Sequence, residues 1–188
     1  HATLHNLQNV LDKDLHIGDT VEVQRAGDVI PHIVSVEPGA ERKSCLIDKC
    51  PCCGSALVRD LPELRCVNPE CSETRLQNLL AAVKSIGIER LGEPNIRKMM
   101  ATLGVKTLKD IFSLSITDIL RLEGFQRKSA ENLYKEIQAA REVPDFMLLA
   151  SLNIKGVGPN IAKSILQSYT LDELRSMSVE ALKEVNGV

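Results

Sequence analysis

Apolar and polar residues alternate with period two over Thr20-Val21-Glu22-Val23-Gln24-Arg25. A second run, Val29-Ile30-Pro31-His32-Ile33-Val34-Ser35-Val36, follows Ala26-Gly27-Asp28. The alternation predicts two strands joined by a tight turn, and Pro31, lacking an amide donor, demotes the start of the second to an edge or bulge. Residues 1–6 read as extended and residues 7–14 as a polar connector. Residues 55–65 predict a short hairpin: Ala56-Leu57-Val58, a turn through Asp60, Leu61 and Pro62, then Leu64-Arg65. Two or three strands do not close a sheet alone, so either a partner sheet lies upstream or this piece is weakly ordered. From Thr74 onward the apolar period becomes 3.6 and the loops shorten. Ile116, Ile119 and Leu120, then Leu171, Leu174 and Met177, mark core faces of linking helices expected at 107–112, 116–122 and 171–185. Arg97 and Lys98 read as a solvated helix face.

The helical part repeats itself. Four stretches align: Gly87 to Ile96, Leu122 to Ala130, Ile154 to Ala162, and Val185 to Val188, where the chain stops. Each has a helix, a Gly–apolar–Gly bend and a second helix with a small or apolar residue at its fourth or fifth position, which is a helix-hairpin-helix signature. Such a bend aims unpaired amides out of the second helix, where the helix dipole also favours an anion. Glycine lets a phosphate oxygen come within hydrogen-bonding distance of the backbone. A clamp of this kind reads the sugar-phosphate track and not the bases. A single Gly-x-Gly between helices is equally an αα-turn with a glycine C-cap; repetition at about thirty-residue spacing favours the clamp. The copies are unequal. Gly156-Val157-Gly158-Pro159 is complete and flanked by Lys155 and Lys163. The first copy has Arg90 in place of its first glycine but keeps Gly92. The second keeps Gly124 and has Gln126 at its second glycine, with Arg127 and Lys128 as compensating cations.

Between the β and helical parts lie Cys50, Cys53, Cys66 and Cys71, in the pattern C-P-C-C-G then C-V-N-P-E-C. Two short-spaced thiolate pairs are what tetrahedral zinc takes in a structural site, with no open position for substrate or water. Six cysteines also admit a disulfide framework, but all lie between 45 and 71 in a long chain with no signal peptide ahead of them. Cys52 competes as a ligand within the first pair, although a C-x-C bite strains the knuckle; Cys45 lies outside the pattern, and both read as free thiols.

Composition narrows the picture. With no Trp, two Tyr and three Phe among 188 residues, the cores must be aliphatic and small, which suits several modules. The net charge of −2 argues against a bulk electrostatic nucleic-acid binder, so any such role rests on backbone donors and local cations. No apolar run approaches membrane-spanning length, and the cysteine usage fits a reducing cytoplasm. A start at His1 and an end in mid-repeat suggest a fragment of something longer.

Ala2-Thr3-Leu4-His5-Asn6 and the run from Gly18 through Val21, Val23, Arg25, Ala26, Gly27 and Asp28 to Val29-Ile30-Pro31 resemble the oligonucleotide-binding (OB) domain of bacterial NAD-dependent DNA ligases. The same family continues with a Cys-Pro-x-Cys-Gly knuckle, matched at Cys50 to Gly54, and then with helix-hairpin-helix repeats, so the resemblance covers the whole chain in order. It implies a multidomain α protein with a little β: the end of an OB fold at 1–44, a four-cysteine zinc ribbon at 45–73, and an all-α hairpin domain at 74–188. It implies a bacterial cytoplasmic ligase that seals nicks in duplex DNA, with Arg25, Val29 and Ile30 at the minor groove beside the nick. Gly92, Gly124, Arg127, Lys128, Gly156, Gly158 and Lys163 would then meet phosphates. NAD and the nucleotidyl lysine would belong to an adenylation domain upstream in the same chain. No Lys-x-Asp-Gly tetrapeptide occurs in this sequence, so the segment alone is expected to be inert. Two other accounts remain: a tandem hairpin module of another repair protein, and a structural zinc module for protein partners.

Overall fold

The structure, a computed structural model, describes residues 2–26 and 30–178, with the side chains of Ala26 and Ile30 excepted. It divides into two compact units, His1–Thr74 and Arg75–Val188. Val29 and the fourth repeat at 185–188 lie outside the described residues.

The first unit is three antiparallel strand pairs and one short helix. Helix α1 (Leu7–Asp12) leads into β1 (His16–Ile17), β2 (Thr20–Ala26), β3 (Ile30–Glu37) and β4 (Lys43–Ser44), then β5 (Leu57–Asp60) and β6 (Glu63–Cys66). β1 pairs with β4, β2 with β3, and β5 with β6. The stretch read as a connector is therefore helical. Asn6 accepts a hydrogen bond from the Asn9 amide at 3.1 Å as its N-cap, and Leu7 and Val10, three apart, are buried on one face. Pro31 sits in register opposite Arg25, and the ladder slips where Glu22 pairs with Ser35 and Val23 with Ile33, so the bulge falls on β3 at Val34 and not at the proline. Val21 and Val23 stay exposed because a two-stranded ribbon covers neither of its faces.

Asp19 fastens the connections of this unit. Its carboxylate is fully shielded from solvent and accepts from the amides of His16 at 2.8 Å and Gly39 at 3.1 Å, and from the Arg42 guanidinium at 2.8 Å. The Arg42 side chain, followed by those amides, holds the Asp19 carboxyl far below the usual carboxylate range. Arg42 also binds Asp14 at 3.0 Å, so the two acids share a cation as turn fasteners and not as a catalytic pair.

The second unit is helical. α2 (Ser72–Ser85) enters it, and α3 (Glu93–Leu103), α4 (Leu108–Phe112), α5 (Ile116–Leu120) and α6 (Arg127–Ala139) follow. A 3₁₀ turn at Ala140–Glu142 leads to α7 (Asp145–Ser151), α8 (Pro159–Ser168) and α9 (Leu171–Ser176). One aliphatic core gathers Leu76, Val83, Ile96, Met99, Ile111, Ile119, Leu133 and Ile137 from α2 to α6. A smaller one joins Leu149, Ala162 and Ile165 beneath the third hairpin. Ile96, Ala130 and Ala162 hold the same place in their repeats, and each is 0 % exposed. The small or apolar residue of the signature is thus wholly buried in all three copies.

Candidate metal centre and nucleic-acid interface

Cys50, Cys53, Cys66 and Cys71 bring their sulfurs within 4.8 Å of one another, the only such cluster among the described residues. Cys50 and Cys71 are 4.0 Å apart and Cys53 and Cys66 3.6 Å apart. Four thiolates at zinc's preferred bond length, arranged tetrahedrally, sit about 3.8 Å from each other. All six cysteines are free thiols, so no disulfide competes. The first knuckle closes through hydrogen bonds from the Gly54 amide to the Cys50 carbonyl and from the Cys50 amide to the Ser55 carbonyl, both 2.8 Å. The β5–β6 hairpin returns the chain so that Leu57 pairs with Cys66 and the second knuckle faces the first.

The surroundings of the sulfurs favour thiolate at two of them. The Ser55 hydroxyl and amide, then the Asn68 side chain, pull the Cys53 thiol down to about 6. The Thr74 amide and hydroxyl, with the Glu73 amide, lower Cys71 from the first turn of α2. The amides of Cys53 and Cys52 pull on Cys50 too, but burial and the neighbouring thiols prevail and push it up to about 11. A cation among the four would remove that competition, because every thiol would then ionise against the same positive charge. Cys52 is exposed, with its sulfur 3.2 Å from the Ser72 hydroxyl. Cys45 turns instead to the Leu15 carbonyl at 3.0 Å. Neither joins the cluster.

In the helical unit α4, α5 and α9 begin differently from α3 and α8, while α7 starts uncapped at Pro144 and α6 at Gln126 beside Ser129. The linking helices α4, α5 and α9 are capped by their own side chains, Thr107, Ser115 and Thr170, each in a reciprocal box with an acid three residues on. Helices α3 and α8, which leave hairpins, begin at Gly92 and Gly158 with no side-chain cap and with a proline in the first turn. Their first amides are left for something outside the helix. The first glycines of copies two and three, Gly124 and Gly156, sit at φ +89° and +84°, where a side chain is strained. Gly158 has an ordinary φ of −83°, and a Cβ built there meets nothing within 4 Å. The fold therefore does not require glycine at 158.

The remaining residues are distributed as follows. Arg25 is exposed near the end of β2, and Ile30 opens β3. Lys163 is exposed on α8, and Lys128 on the first turn of α6. Arg127, read as a compensating cation, donates to Glu131 at 3.0 Å on its own helix. In copy two the Gln126 amide donates to the Ser129 hydroxyl at 2.9 Å. In copy one the Arg90 amide donates to Glu136 at 3.2 Å, so this hairpin already holds an internal carboxylate.

Two residues at this face carry no sequence signal. Glu136 reaches Arg90 across 46 positions, and Lys98 donates to the Glu123 carbonyl at 2.8 Å across 25. The solvated-face reading of Lys98 is thereby corrected: its ammonium lies in the second hairpin. No pattern of neighbours could have found either pairing, since each depends on how α3 and α6 pack. The Asn153 amide likewise binds Asn78 at 3.1 Å, fixing the third hairpin to α2.

Repeated bends of this form, each followed by a second helix whose fourth residue is buried, define a tandem helix-hairpin-helix protein. A model of the SAM-like helix-hairpin-helix tandem matches residues 78–139 and 146–188, and a model of the NAD-dependent DNA ligase OB-fold domain matches residues 1–44. A DNA ligase of Natronomonas pharaonis is 36% identical over 192 residues, covering 100% of this chain and 28% of the relative. DNA ligases of Bacillus mycoides and Bacillus cereus are 36% identical over 196 residues, again across the whole chain and 29% of their own length. The chain belongs to the helix-hairpin-helix tandem family; its first 44 residues match the OB-fold domain of NAD-dependent DNA ligases, and its whole length is similar to part of these curated ligases. It spans somewhat over a quarter of the curated relatives it matches. Among the described residues no helix is long and apolar enough to cross a membrane.

Proposed function

We propose that this chain is the duplex-gripping part of an NAD-dependent DNA ligase, a cytoplasmic enzyme that seals nicks. Its three parts would be the end of an OB fold at 1–44, a zinc ribbon at 45–73 and the hairpin domain at 74–188. The OB segment, with Arg25, Val29 and Ile30, lies against the minor groove at the nick. The hairpins hold phosphates beyond it through Gly92, Gly124, Gly156 and Gly158, helped by Lys128 and Lys163. Arg127, already paired on α6, plays a lesser part. Adenylation by NAD and the nucleotidyl lysine reside in another domain of the same polypeptide, and this segment alone is inert.

One observation carries this reading: helices α3 and α8 begin without a side-chain cap, whereas the linking helices of the same unit are each capped by their own Ser or Thr. Open N-terminal amides bind an anion, and amides repeated along a tandem suit a polyanion of regular spacing. A neutral chain can bind DNA this way, because dipoles and local cations do the work that bulk charge does elsewhere. Cys50, Cys53, Cys66 and Cys71 would hold zinc with no open position, so the metal's part is to hold the two knuckles together.

The test uses Gly158→Val. The open space at this position predicts a stability change of no more than about 1 kcal/mol, in the range of an altered N-cap. Affinity for a duplex should nevertheless fall several-fold, equally for intact and nicked probes of any sequence, as followed by fluorescence anisotropy. An unchanged isotherm in a folded Gly158→Val protein would remove the hairpin from the interface.

A further inference from the structure

The second hairpin departs most from its repeat, and the structure shows what stands in the gap. Its second glycine is replaced by Gln126, whose amide is taken by Ser129 at 2.9 Å. The cations on its own helix start do not compensate directly, since Arg127 is bound to Glu131. From α3, in the preceding repeat, the Lys98 ammonium enters the bend. It donates to the Glu123 main-chain carbonyl at 2.8 Å and lies 3.6 Å from where a Cβ of Gly124 would stand. A hollow of about 280 Å³ opens there, lined by Arg90, Asn95 and Lys98 on one side and by Gly124, Phe125 and Ser129 on the other.

The charges around this hollow are few. Arg90 is neutralised by Glu136 at 2.5 Å. Glu123 also lines the rim; Lys98 binds its main-chain carbonyl and not its carboxylate, which faces the exposed edge. An ammonium has three donors, and the carbonyl accepts one. Lys98 is half-buried, so its charge is held in place and not swept through solvent on a free stem. A phosphodiester reaching the Gly124 bend would therefore meet a fixed cation where the first and third hairpins present a glycine.

We propose that Lys98 is the phosphate-contacting cation of the second hairpin, supplied by the first, so that the two repeats form one composite grip on a single backbone. This rests on the duplex-binding reading above. Lys98 replaces by charge what Gln126 removes from the backbone. The contact is independent of base sequence and more sensitive to salt than a contact through amides.

The experiment compares the wild-type chain with Lys98→Met, which keeps the aliphatic stem, with Lys98→Arg, and with Lys109→Ala on α4 as a distant control. Binding of a labelled duplex is measured against salt. Removing one phosphate contact reduces the slope of log K on log salt by about 0.9. Lys98→Met is expected to show that reduction with a several-fold loss of affinity, Lys98→Arg to recover the slope, and Lys109→Ala to leave it unchanged. A slope preserved in Lys98→Met, with only a lowered melting temperature, makes Lys98 a brace and overturns the proposal. If Gly158→Val weakens binding and Lys98→Met does not, this inference falls while the duplex-binding reading stands; if the wild type does not bind at all, both fall. Should the variants not fold, acetylation of the wild-type lysines with and without duplex decides the matter by mass spectrometry. Protection of Lys98 supports the proposal, and equal labelling overturns it.

Discussion

The carboxylate of Glu136 on α6 accepts from both the backbone amide and the guanidinium of Arg90 in the first hairpin, at 3.2 and 2.5 Å. A residue that replaces glycine in the repeat has thus recruited an anion from within the protein. The Asn95 amide binds the Arg90 carbonyl at 3.1 Å and closes the same bend from the other side.

Glu136→Ala is expected to loosen this bend. Hydrogen bonds to charged groups contribute about 1.5–3 kcal/mol when well formed, and partial exposure brings this pair toward the lower figure. Urea unfolding should show a loss of about 1 kcal/mol, with Glu136→Gln intermediate because it retains an acceptor for the amide.

Ala130→Leu should be more damaging than its conservative chemistry implies. Ala130 is 0 % exposed in the larger core, and added volume there costs about 1–3 kcal/mol. Ile96→Ala, at the equivalent place in the first hairpin, is expected to cost about 2–5 kcal/mol through the cavity left behind. Thermal unfolding of the chain checks both.

Loaded protein is expected to carry one zinc per chain by elemental analysis. Cys66→Ser or chelation should remove it and unfold the β5–β6 region, while the helical far-ultraviolet signal of Arg75–Val188 persists, because that unit has its own core. Cys52→Ser should leave the stoichiometry at one, since its exposed sulfur lies outside the cluster. Loss of metal in Cys52→Ser would require a different ligand set.

The capping boxes make the helical unit sensitive to acid. Hydrogen bonds from the Lys106 and Thr107 amides lower Asp110, the Ser115 hydroxyl and amide lower Asp118, and the Thr170 amide and hydroxyl lower Glu173. A carboxylate with a depressed folded pKa stabilises fully above its unfolded value and loses that contribution as pH falls through the folded one. The melting temperature should therefore be flat near neutrality and decline below about pH 4.5, the upper end of the ordinary carboxylate range. Thr107→Ala should cost about 1 kcal/mol at neutral pH and flatten the decline.

Local features carry over from sequence to structure because local forces govern them. Period-two alternation marks the β2–β3 ribbon, the knuckle spacing marks the four-sulfur cluster, and the glycine bends mark where α3, α6 and α8 begin. Helix α1 does not stand out in the sequence, although its signals are present: Asn6 as a cap, and Leu7, Val10 and Leu11 at helical spacing. Six residues are too few for a period to separate from a polar connector, and burial against the rest of its unit decides the outcome. Among its fastenings is the bond from the Leu7 amide to the Pro62 carbonyl at 2.7 Å.

What the amino-acid order determined by itself was the inventory: four thiols in two pairs, three bends with glycine, aliphatic faces without large aromatics. What only the tertiary structure decided was which groups those bends meet. Glu136 binds Arg90 in the first and leaves the Gly92 helix start uncapped, Lys98 enters the second, and a Cβ at Gly156 or Gly158 of the third meets nothing within 4 Å. Glycine and cysteine act through the backbone next to them, so spacing along the chain reveals their role. A lysine or glutamate acts through the end of a long side chain on a helix placed by its core, and its partner is fixed only when the helices have packed.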